Sequence, residues 1–154
     1  MLQSRRGHPA AAQACFRRAL EIHRKVQADS PHATEALYHL AAASEESGDL
    51  LGAVTEFEKM LALRERQIGA NPMETAAAQS RLAALHLRTG RISSARELAM
   101  RAMPMLERKG GLILAQALET LAGAEERLGR ADQAQRYRAK AHIEAALHAA
   151  EARQ

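Results

Sequence analysis

A glycine followed five residues later by an alanine recurs four times along this chain. The pairs are Gly7 and Ala12, Gly48 and Ala53, Gly90 and Ala95, and Gly129 and Ala134, with the glycines 41, 42 and 39 residues apart. A near-constant period of this length is the trace of stacked supersecondary units, none of which can bury its apolar face alone. The fullest copy runs from Ser30 to Gly69. It holds two amphipathic helical patterns, opened by Ser30-Pro31 and joined by Ser47-Gly48-Asp49. The chain is therefore read as one array over 1–154: a half repeat at 1–29 and repeats at 30–69, 70–110 and 111–150.

Apolar spacing at i, i+3, i+4 and i+7 predicts seven helices, and no segment alternates with the period of a strand. The helices are expected at about 8–27, 31–47, 50–67, 72–89, 92–109, 112–128 and 131–149. Ala36, Leu37, Leu40, Ala41 and Ala43 should face inward from the second helix, and Ala53, Val54, Phe57, Met60, Leu61 and Leu63 from the third. Ser30 and Asn71 are placed to cap the helices that Pro31 and Pro72 open, and Glu74 completes a capping-box spacing with Asn71. Pro104 falls inside the fifth pattern and should kink it or end it early. Every glycine is read as a helix stop, which leaves no phosphate-cradling loop.

Aromatic residues make up only 3% of the chain and tryptophan is absent. Alanine and leucine must then build the core, which suits closely packed helices. The single cysteine, Cys15, excludes an internal disulfide and fits a reducing, cytoplasmic compartment; beside Phe16 it is read as a small buried hydrophobe. The amino-terminal segment has two arginines with no apolar run after them, unlike a secretory leader. No run approaches the length of a membrane span.

With the period laid out, the chain resembles the tetratricopeptide family, and within it the long repeats of kinesin light chains. Ala12-x3-Phe16 and Ala53-x3-Phe57 match the family's alanine-x3-aromatic in the second helix of a pair. Ala99 and Arg138 stand in the aromatic's place in the later copies. Leu40-Ala41, Leu82-Ala83 and Leu121-Ala122 supply the leucine and small residue of the first helix. The phrases ALEIHRKV and LALRERQIG look like the kinesin-light-chain type. The resemblance implies an all-α, right-handed solenoid of antiparallel helix pairs. It also implies a non-enzymatic scaffold that binds a protein or peptide along a concave face lined by first helices. The carboxylate clamp of chaperone-binding members is disfavoured, because the first helices carry no lysine and only Asn71. His39, Arg81 and Thr120 occupy the turn where kinesin light chains carry asparagines.

No metal or catalytic constellation emerges, and no cofactor is expected. His142 and His148 are six residues apart, on different faces of one helix, and the other histidines are scattered. The adjacent carboxylates Glu45-Glu46 and Glu125-Glu126 close two first helices and are read mainly as solvated surface. The three first helices carry seven acids against three bases, and the four second helices fourteen bases against eight acids. An acidic groove side would favour a basic partner. Alternatively, the opposite charges pair between neighbouring helices. The expected groove residues are Glu35, Tyr38, His39, Glu45, Glu46, Arg81, Arg88, Glu119, Glu126 and Arg127. Two alternatives stand beside this reading. One is self-assembly through apolar ends, at Phe16 and Leu20 or at Ile143 and Leu147. The other, weaker, is nucleic-acid binding on the basic outer helices. Against that last reading, Phe16, Tyr38, Phe57 and Tyr137 are too few to form a stacking platform.

Overall fold

The computed structural model describes residues 14, 15, 17, 18, 21, 31–67 and 69–153. They form helices α1 (Pro31–Glu46), α2 (Leu50–Arg66), α3 (Pro72–Arg88), α4 (Ile92–Lys109), α5 (Leu112–Arg127) and α6 (Ala131–Glu151). Positions 14, 15, 17, 18 and 21 are also helical. The rest of the expected first helix, with Gly7, Ala12, Phe16 and Leu20, lies outside the described residues, as does the Ser30 cap. The chain makes two compact units, Met1–Ala70 and Asn71–Gln154. In the first, α1 packs on α2. In the second, α3 packs on α4, α4 on α5 and α5 on α6, and α3 also touches α5.

The repeated glycines make one turn three times. Gly48, Gly90 and Gly129 have φ of 85°, 82° and 76°, a region costly for a side chain with a Cβ. Gly48 N–H donates to Glu45 C=O at 3.0 Å and Asp49 N–H to Ser44 C=O at 2.9 Å. Gly90 with Arg91 and Gly129 with Arg130 repeat both bonds, so each first helix ends in the same Schellman closure. The next helix opens at once, and its alanine is packed inside. Ala53, Ala95 and Ala134 are buried, at 0%, 0% and 1% exposure. A larger side chain there would push two helices apart.

The expected inward residues of α1 and α2 are buried, except Leu63, which is half-buried. Gln67 Nε2 donates to the buried Thr34 Oγ1 at 3.0 Å and ties the end of α2 to α1. In the second unit, Met103 and Leu106 of α4 share one cluster with Leu114, Leu118 and Leu121 of α5 and Ala141 of α6. Asn71 caps α3 through Met73 N–H at 3.0 Å, and its amide donates to Glu74 Oε1 at 3.3 Å.

Three expectations are corrected. Of the two outcomes expected for Pro104, the early end does not occur: α4 continues to Lys109, with Pro104 on its exposed side. Cys15 is exposed, because it lies one turn from the exposed Arg18 on a hydrated flank. Two glycines are not stops. Gly52 stands in the first turn of α2, where its N–H takes the Asp49 side chain at 2.9 Å. Gly123 lies inside α5, where a Cβ would come within 2.8 Å of Leu87 Cδ2, so its missing side chain lets α5 approach α3.

Candidate functional site

Five of the expected groove residues lie on α1. Glu35, Tyr38, His39 and Glu46 are exposed and Glu45 is half-buried. From Glu35 the other four stand 3, 4, 10 and 11 residues on, which at 3.6 residues per turn keeps them on one side of the helix. The Tyr38 ring stands edge-on to Phe57, centroids 5.7 Å apart at 82°, and edge-on to His39 at 5.7 Å and 83°. Phe57 is wholly buried in α2, so it fixes the Tyr38 ring from below while 37% of Tyr38 stays in solvent. His39 Nε2 lies 3.9 Å from Glu35 Oε1 across one helical turn. The result is a fixed aromatic beside carboxylates.

The other five lie on α3 and α5, which touch each other. Arg81 is half-buried, and Arg88, Glu119, Glu126 and Arg127 are exposed. Arg127 and Glu126 make contacts within the unit. Arg127 Nη1 donates to Leu87 C=O at 2.8 Å, so the end of α5 satisfies a carbonyl in the last turn of α3. Glu126 accepts from both Arg138 amino groups, Nη1 lying 3.4 Å from Oε1 and Nη2 closer to Oε2. That hydrogen bond and the adjacent positive charge hold the Glu126 carboxyl below its ordinary value and raise Arg138. Thr120 is buried and its Oγ1 donates to Gln116 C=O at 3.0 Å, so it presents nothing to a ligand.

Glu125 overturns its reading as solvated surface. Its side chain has 0% exposure. Arg96 Nε donates to Oε1 at 2.6 Å and Arg130 Nη1 to Oε2 at 3.1 Å. Burial alone would raise this carboxyl. The two guanidinium hydrogen bonds and charges outweigh it and hold the group below its ordinary value. The sequence signal was available. Glu125 follows Leu121 and Ala122 at the i+4 and i+3 spacing, on the buried side of α5, and Arg96 directly follows the buried Ala95.

Sequence reasoning also missed a cleft of about 620 Å³ in the first unit. Arg17 and Glu21 meet an apolar floor there that includes Leu37, Leu40 and Leu63, with Glu56 and Lys59 at its rim. The Glu56–Lys59 pair, 3.2 Å apart, partly neutralises that rim. Among the described residues no group of three His, Cys, Asp or Glu side chains could hold a metal ion, and no helix is long and apolar enough to cross a membrane.

Comparison with known proteins agrees with this geometry. No curated protein matches the chain in sequence. Among solved structures, kinesin-light-chain, nearly identical TPR-like repeats of Podosopora anserina superpose with a TM-score of 0.74 at 18% identity, over 86% of this chain and 65% of theirs. BtubC (BKLC) from P. vanneervenii gives 0.66 at 21% identity, over 90% of this chain and 57% of its own. MamA gives 0.55 at 17% identity, over 86% of this chain and 77% of its own. The chain thus spans less than two thirds of the first two proteins. At these identities the likeness concerns the fold, an all-α solenoid of helix pairs. A sequence profile of the tetratricopeptide repeat matches residues 32–108, half of the chain. The recurring glycine closures, the buried alanines and this match together show that the chain belongs to the tetratricopeptide repeat family.

Proposed function

We propose that this chain is a non-enzymatic interaction scaffold that holds a basic protein segment against α1. The observation that carries the proposal is Tyr38. A large aromatic fixed by a buried partner and half open to solvent makes an anchor at low entropic cost, as at the centres of known interfaces. Glu35, Glu45 and Glu46 on the same side of α1 supply the sign of the partner. The second unit contributes less negative charge than its composition implies. Glu125 is buried between two arginines and Glu126 is paired with Arg138, so opposite charges there neutralise one another between helices.

The test uses the full chain and a fluorescent array of short lysine- and arginine-containing peptides. Glu45→Lys with Glu46→Lys should weaken the peptides bound, and Tyr38→Ala should weaken them as much or more, with helical content unchanged. Binding that ignores all three changes would overturn the proposal. Duplex DNA in the same assay separates the nucleic-acid reading. Its binding would fall steeply with salt and would be indifferent to Tyr38.

A further inference from the structure

α6 carries two large apolar side chains in solvent: Ile143 is 60% exposed and Leu147 55%. Their place in the repeat register shows which side of α6 they occupy. Ala134 of α6 corresponds to Ala95 of α4, each following its turn glycine by five residues and each buried. In that register Ile143 and Leu147 stand where α4 has Pro104 and Arg108. Both of those are exposed even though α4 is packed against α3 and α5. The apolar pair is therefore not the surface on which a following helix of the array would stack. The packed side of α4 carries Ala99, Met103 and Leu106, which share a core cluster with residues of α3 and α5. α6 has Arg138, His142 and Ala145 there, with Arg138 bound to Glu126. The stacking side is polar, and the outward side is apolar where α4 is not.

The outward side is also self-complementary. Arg136, Ala139, Ile143, Leu147 and Glu151 are all exposed, and they recur every three or four residues along one face. Two copies of α6 laid antiparallel, with Ile143 at the crossing, bring residues together in a fixed way. Leu147 of each copy meets Ala139 of the other, a large side chain over a small one. Arg136 of each comes alongside Glu151 of the other. Every contact occurs twice, as a two-fold interface requires. We propose that the outward face of α6 binds the same face of a second copy of this chain, antiparallel about a two-fold axis at Ile143.

The test is the mass of the full chain across a dilution series, by light scattering or sedimentation. The expected result is a dimer that dissociates on dilution. Ile143→Lys with Leu147→Lys should raise the dissociation constant more than about tenfold, because two aliphatic side chains per copy no longer leave water. Both positions are exposed, so circular dichroism should not change. In a Cys15→Ser background, mild oxidation should link Ile143→Cys into covalent dimers. It should leave Leu147→Cys unlinked, since in the antiparallel pairing the two copies of residue 147 stand about 12 Å apart along the helices. A monomer at every concentration, dimerisation untouched by the double lysine change, or equal linking at both cysteine positions would each overturn the proposal.

Discussion

Removing Glu125 should cost less than removing the two arginines that hold it. The carboxylate is inaccessible, whereas the side chains of Arg96 and Arg130 are 38% and 52% exposed. Glu125→Gln keeps the shape and releases two guanidinium groups that can turn to water. Each charge-assisted hydrogen bond contributes about 1.5–3 kcal/mol, and the carboxylate's own desolvation cost, now removed, offsets part of that. The net loss should be about 1–2 kcal/mol. Arg96→Met with Arg130→Met leaves the carboxylate buried with neither partner, and breaking a buried pair from that side costs about 3–5 kcal/mol. Urea unfolding monitored by circular dichroism measures both.

The pH dependence should also change form. In the parent, the folded-state pKa of Glu125 is lowered. The stability it contributes is fully present above the ordinary carboxylate range and is lost as pH falls through the folded value. In the double methionine variant only burial remains, which raises the pKa. Acid should then relieve part of the damage, and the gap between the two proteins should narrow as pH drops. A gap that widens in acid, or a glutamine variant less stable than the double methionine variant, would refute this account of the network.

Further outcomes follow from packing. Ala53→Leu should overpack the α1–α2 contact and lower stability by about 1–3 kcal/mol, and an unchanged melting temperature would place Ala53 on the surface. Gly129→Ala meets open space, yet its φ of 76° should still cost about 1–2 kcal/mol of backbone strain. A stability equal to the parent's would show that the turn has relaxed. Gly123→Ala should be close to neutral in the parent, where helix propensity and the Leu87 contact oppose each other. With Leu87→Ala beneath it, the same change should stabilise by about 1 kcal/mol relative to that single variant, and a double-mutant cycle reads the difference directly.

The fold was legible because its determinants are local and repeated. A glycine stop, a reversed chain and an alanine five residues on are written into each copy, and Asn71-Pro72 announces the start of α3. Pro104 does not stop α4, although a proline there gives up one backbone hydrogen bond to the preceding turn. The site was less legible. A run of acids on first helices looks like one surface, but Glu125 and Glu126 turn to opposite environments, and only their partners on α4 and α6 separate them. Those partners lie 29 and 12 residues away in sequence. Composition counted their charges correctly and could not show them cancelling. Ile143 and Leu147 stood out as apolar from the beginning. Which side of α6 carries them became clear only from burial along α4.

One bond closes the far end of the second unit. Gly111 N–H, at the entry to α5, donates to Glu144 Oε2 on α6 at 3.2 Å. The acceptor lies two thirds of the way along α6, so α5 and α6 should not fray independently. When the end of α6 peels away, the start of α5 loses an acceptor and a favourably placed carboxylate together. Amide exchange at Gly111 and its neighbours should then follow that of the residues around Glu144, and a protease that clips α6 between Lys140 and Glu144 should loosen the Gly110-Gly111 link as well. The last helix pair would behave in exchange and proteolysis as a single cooperative unit.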